Sequence, residues 1–133
     1  MATRSTIALE AANGTVTQIY CHWDGYLDYN GKILFEHYQD PAKVQQLMEL
    51  GDISVLKESV DCPEGHSFDT PAEGCTIAYG RDRGETETEA VTYENFDRYR
   101  LVAQFEDYNY ILRADGKWYL ISDCVTPLES LVE

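Results

Sequence analysis

Basic side chains are scarce in this chain. Ten Lys and Arg stand against 24 Asp and Glu, a formal charge of −14. A field of that sign repels DNA, RNA and anionic membrane surfaces, which excludes direct nucleic-acid binding unless the few cations gather in one place. Long apolar runs are also missing: no charge-free stretch approaches the ~20 residues that a membrane helix needs. The N-terminal "MATRSTIALEAANG" has no signal-peptide apolar segment, so the protein is expected to stay in the cytoplasm where it is made, and Cys21, Cys62, Cys75 and Cys124 are expected to be reduced thiols. No internal repeat, low-complexity tract, P-loop or GxGxxG fingerprint occurs.

What is present suits one folded domain over residues 1–133. Apolar residues make up 44% of the chain and charged residues 26%, ordinary for a globular domain. A chain of this size buries roughly two thirds of its unfolded surface, enough for a core without staples.

Turn chemistry and periodicity organise the rest. "STIALEAANGTVTQIYCHW" reads as two strands around Asn13-Gly14, a pair suited to a type I′ hairpin, with Val16, Gln18 and Tyr20 on one face and Thr17, Ile19 and Cys21 on the other. Two helices follow, at about 31–38 and 41–50, divided at Asp40-Pro41, an N-cap followed by proline at the first helical position. Val44, Leu47 and Met48 form the apolar stripe of the second, and Gly51 closes it. Residues 52–74 carry prolines, glycines and small polar residues and are expected to be an irregular excursion. A middle strand is expected around Cys75 to Tyr79, followed by a turn through Gly80 and Gly84. Phe96, Tyr99, Leu101, Val102 and Phe105 then mark one side of an amphipathic helix. Asp115-Gly116 centres a second hairpin, with Tyr110 and Leu112 on one flanking strand and Trp118 and Leu120 on the other. The tail "TPLESLVE" reads as a short helix capped by Thr126 with Pro127 first. The expected fold is α+β: a mainly antiparallel sheet of two hairpins plus a middle strand, with helices packed on one side.

Three segments could carry function. The first is "CHWDGY" (21–26). Catalysis by Cys21 would need a histidine base, and the adjacent His22 points to the opposite face of a strand. The structural alternative has Trp23 and Tyr26 packing the corner between sheet and helix while Asp24-Gly25 turns the chain. A further reading makes these aromatics a surface site for a partner or planar ligand. The second is "CPEGH". Cys62 and His66 lie four apart and Cys75 nine further on, a spacing that matches no strong two-pair zinc template and leaves the fourth ligand to come from elsewhere, so no metal site is expected. The third is "GRDRGETETEA". Arg81 and Arg83, between glycines, could grip phosphate with Trp23, Tyr26 or Tyr79 as a stacking face, or pair internally with the surplus carboxylates. Glu85, Glu87 and Glu89 alternate with threonines. If extended, they form a carboxylate row spaced roughly 6.6 Å apart, fit to meet a basic partner or merely to protect a sheet edge.

"HWDGY" near an N-terminal hairpin, "DPAKVQQLMELGDISVL", and "HSFD" followed by "AYGRDRGE" together resemble a family of short proteins from bacteriophage and prophage genomes, over most of residues 1–113. The resemblance carries no catalytic residue or cofactor. It implies a phage accessory protein in the host cytoplasm, and small acidic phage proteins of this kind resemble antagonists of host defence, including anti-CRISPR proteins. The expected function is therefore a non-enzymatic inhibitor, without cofactor, that binds a host protein with a basic surface. A module that sequesters a nucleotide signal is the alternative. A homodimer is a further expected association.

Overall fold

Two short loops of identical construction set the sheet. In each, one glycine takes a left-handed backbone: Gly14 at φ 94° and Gly116 at φ 83°. The first loop closes with Ala11 N–H to Thr15 O at 2.8 Å and Gly14 N–H to Ala11 O at 2.9 Å; the second with Arg113 N–H to Lys117 O at 3.0 Å and Gly116 N–H to Arg113 O at 2.9 Å. Neither Asn13 nor Asp115 has a positive φ. The turns are therefore three-residue loops, a type I turn ending in a left-handed glycine, and not the two-residue type I′ expected at Asn13-Gly14. Asn13 and Asp115 serve instead through their side chains, which accept the N–H groups of Thr15 and Lys117.

The computed structural model describes residues 3–122 and 124–132; Glu133, the last residue of the expected tail helix, lies outside them. The first hairpin joins β1 (Ser5–Glu10) to β2 (Val16–Cys21), and the second joins β6 (Tyr108–Leu112) to β7 (Trp118–Ile121). Between them stand β3 (Ile53–Val55), β4 (Ile77–Ala78) and β5 (Val91–Tyr93), and β8 (Val125–Pro127) follows. The eight strands make one sheet in the order β4-β3-β2-β1-β6-β7-β8, with β5 also paired to β2. It is mostly antiparallel, but the hairpins meet through a parallel pair, β1 with β6. The strand expected in the middle is β4, and it lies at the sheet edge.

The helices are α1 (Lys32–His37, entered through a π-helical turn at Leu27–Gly31), α2 (Pro41–Leu50), α3 (Tyr79–Arg83), α4 (Phe96–Val102) and α5 (Glu129–Val132). Asp40 caps α2, its carboxylate accepting the Ala42 N–H at 3.0 Å, and Gly51 ends it, as the sequence predicts. Strand alternation sorts the core into two layers. Ile7, Leu9, Ile19, Tyr110, Leu112 and Trp118 face α1 and α2, which add Leu34, Val44, Leu47 and Met48. Ala8, Val16, Ile111 and Ile121 face the other way and are covered by Tyr99 of α4. Helices thus pack on both faces, not one.

Three expectations change here. Of the five apolar residues read as the buried side of α4, only Tyr99 is buried; Leu101 is 77% exposed, and Phe105 lies beyond the helix end. The helix is too short for its stripe to meet the sheet more than once. Thr126 and Pro127 belong to β8, so the tail helix begins at Glu129. The segment "YGRDR" is helical rather than a turn. No helix among the described residues is long and apolar enough to cross a membrane.

Candidate functional site: an acidic cleft beside an aromatic corner

The outer edge of β2 is shared. Strand β5 pairs antiparallel with Val16 to Gln18, and β3 pairs parallel at Cys21. Between them Tyr20 has no strand to receive its N–H, and Oδ1 of Asp52 takes that bond at 3.0 Å. A cleft of about 300 Å³ opens at this gap. Asp52, Glu87, Glu89 and Glu106 line it, with Gln18, Tyr20 and Tyr93, and no Lys, Arg or His is among its lining residues. Burial pushes the Asp52 carboxyl above its ordinary range. The Tyr20 N–H partly offsets this, and the charge of Glu89 adds to it.

The expected row of Glu85, Glu87 and Glu89 is not an extended strand. Glu87 has φ 61°, which breaks the alternation. Glu85 turns to Arg83, whose Nε lies 3.4 Å from its carboxylate, so only Glu87 and Glu89 reach the cleft. Sequence reading missed Asp52 and Glu106. Both lie outside the acidic run, and no local signal marks them as its neighbours.

From Tyr20 the surface continues into "CHWDGY". The Tyr20 hydroxyl lies 2.7 Å from Nδ1 of His22, and the imidazole meets the Trp23 ring edge-on at 4.8 Å. Trp23 and Tyr26 are 42% and 39% exposed, so neither packs the corner as expected. The corner is built by the small residues instead. Asp24 takes φ 57°, and Gly25 is buried so closely that an added Cβ would lie 2.6 Å from Cβ of Ser5. The Tyr110 hydroxyl donates to Gly25 O at 2.6 Å and locks the turn onto the sheet. Cys21 beneath is buried, receives an Asn30 N–H at 3.4 Å, and has its thiol pushed up to about 11 by that burial. A thiol so held is protonated at neutral pH and does not serve as a nucleophile.

The two arginines work inside the chain. Arg81 donates to Val60 O, to Thr76 O at 2.7 Å and to Sγ of Cys62 at 3.4 Å, and its guanidinium grips Asp82 at 2.9 and 3.0 Å. Asp82 also accepts the Ala78 N–H at 2.8 Å. Burial acts to raise the Asp82 carboxyl, but the Arg81 and backbone bonds outweigh it and hold it below the usual range. Arg83 lies over the Phe68 ring at 4.9 Å, and Phe68 in turn packs against Tyr79 at 5.8 Å. Tyr79 and the arginines therefore sit together, while Trp23 and Tyr26 belong to the separate corner beside the cleft. The clamp also gathers Cys62, His66 and Cys75, whose donor atoms all lie within 4.8 Å of one another, although their spacing predicts no such meeting.

No protein-family model matches the chain, and neither a curated protein nor a solved structure matches it significantly.

Proposed function

We propose that this chain is a small acidic phage accessory protein that inhibits a host defence protein by binding a basic surface on it, without catalysis. The observation that carries this reading is the cleft between β3 and β5, where four carboxylates meet with no cation lining it. A lysine or arginine entering there offsets the burial and, with it, the Glu89 charge that raise Asp52, and replaces lost hydration with carboxylate partners. The half-exposed Trp23 beside the cleft supplies the aromatic anchor on which interface energy concentrates. The resemblance to phage and prophage proteins supports the setting.

The nucleotide-sequestering reading has less to stand on. The Arg81 guanidinium is committed to Asp82 and to two backbone carbonyls, and Arg83 to Glu85 and Phe68.

The test is affinity capture from host lysate, followed by binding measurements on the captured partner. Glu87→Gln, Glu89→Gln and Glu106→Gln together are expected to weaken binding strongly. Salt is expected to weaken it too, because ions screen exposed charge pairs beyond about 8–10 Å. Binding indifferent to both would overturn the reading. Calorimetric binding of a nucleotide, lost in an Arg81→Ala, Arg83→Ala variant but kept in the glutamine variant, would replace it with sequestration.

A further inference from the structure

Residues 56–76 hold little regular structure, a single isolated bridge between Ser59 and Cys75 apart, yet three metal-ligating side chains converge there. Cys62, His66 and Cys75 each present a donor atom within 4.8 Å of the other two. Both cysteines are free thiols. Neither thiol donates a strong hydrogen bond: Sγ of Cys62 lies 3.6 Å from Val60 O, and Sγ of Cys75 lies 3.7 Å from Asp61 O. The His66 side chain is only 3% exposed. Its Nδ1 accepts the Ala72 N–H at 2.9 Å. The ring proton therefore sits on Nε2, which faces Oδ2 of Asp82 at 3.1 Å but out of line for a hydrogen bond.

We propose that Cys62, His66 and Cys75 form a zinc site. Two sulfurs and an imidazole are borderline-soft donors, which favour Zn²⁺ over Ca²⁺ or Mg²⁺. Nδ1 carries the lone pair that an ion can take, in exchange for the Ala72 N–H. Nε2 faces Oδ2 of Asp82 at 3.1 Å, and a small turn of the ring on taking the ion brings its proton into the carboxylate–histidine arrangement that orients metal-bound imidazoles. Arg81 completes the outer shell by donating to Cys62 Sγ. Binding releases the two thiol protons to solvent, so the zinc and two thiolates sum to no net charge. The fourth position is left to water. The ion ties together both ends of residues 62–75, of which only Cys75 is buried, which is where a metal contributes most to folding.

The experiment adds Zn²⁺, and separately Co²⁺, to the reduced 133-residue chain. One zinc per chain is expected by native mass spectrometry. Cobalt is expected to show a thiolate charge-transfer band and the visible bands of a tetrahedral ion. Cys62→Ser and His66→Gln should each abolish the cobalt spectrum, whereas Cys124→Ser, at an exposed thiol away from the cluster, should leave it intact. Asp82→Asn should weaken zinc binding by about 10–100-fold. Should Cys75→Ser fail to fold, the Cys62 variant decides, since Cys62 is only half-buried. Absence of zinc uptake and of the charge-transfer band would overturn the proposal. So would a spectrum that survives in the Cys62 variant.

Discussion

Asp52 accepts the backbone N–H of Tyr20 at 3.0 Å, standing in for a strand where β3 and β5 leave the edge of β2 open. The carboxylate therefore serves the sheet and the cleft at once. Asp52→Ala should leave that N–H without its partner and lower stability by about 1–3 kcal/mol. Asp52→Asn keeps an acceptor oxygen and should cost less, while still weakening a basic partner. Urea unfolding of both variants, beside their partner affinities, separates the two roles. Equal destabilisation by the two substitutions would refute the hydrogen-bond account.

Gly25 has no room for a side chain. Its Cβ would approach Ser5 Cβ to 2.6 Å and Thr3 O to 3.0 Å. Gly25→Ala should force the corner off β1 and cost about 1–3 kcal/mol by overpacking. A thermal melt of the variant is the measurement, and an unchanged midpoint would mean that the corner yields freely.

Arg81 and Arg83 should behave differently when truncated. Arg81→Ala strands Asp82, whose side chain is only 4% exposed. Losing one partner of a buried pair costs about 3–5 kcal/mol, and the partial exposure of Arg81 brings the expected loss to roughly 2–3 kcal/mol. Arg83 and Glu85 are both solvent-exposed, so Arg83→Ala should cost under about 1 kcal/mol. Denaturant midpoints of the two single variants check this, and a larger loss at Arg83 would contradict it.

Glu10 ties the N-terminal hairpin to the C-terminal one. Its carboxylate receives Arg113 Nε at 3.0 Å and an Nη at 3.1 Å, and the Ala114 N–H besides. The Arg113 hydrogen bonds hold its pKa below the ordinary value of 4.5, with the Ala114 N–H adding to the effect against burial. A depressed folded-state pKa adds stability that is fully present above the unfolded value of 4.5 and is lost as pH falls through the folded one. Asp52, whose pKa is raised, works oppositely: its folded form holds the proton more tightly, so it disfavours folding as pH rises through its titration. Glu10→Gln should therefore be less stable than the parent at neutral pH, with the gap closing as pH falls below 4.5 and through the lowered folded-state pKa. Melting curves across that interval test the sign, and a gap that widens in acid would reverse it.

The sequence by itself determined what local chemistry decides. Asn13-Gly14 and Asp115-Gly116 mark both hairpins, since a glycine in the left-handed region closes the loop whatever lies elsewhere. Asp40-Pro41 starts α2 because a side-chain acceptor and a preset φ act within one turn. The alternation of Val16 against Ile19 and Cys21 along β2 foretold two faces. Tertiary structure alone decided the parallel join of β1 to β6, a pairing of residues about a hundred positions apart that no turn signal specifies. It also decided that β3 and β5 share one edge, bringing Asp52 and Glu106 beside Glu87 and Glu89. Trp23 stays exposed because buried Gly25 and Tyr110 already hold the corner that the indole was expected to fill. Cys62, His66 and Cys75 meet because Arg81 pulls the carbonyls of Val60 and Thr76 onto one guanidinium. Such meetings depend on which distant groups satisfy each other's hydrogen bonds and charges once the core has closed, and residue spacing along the chain carries no record of that.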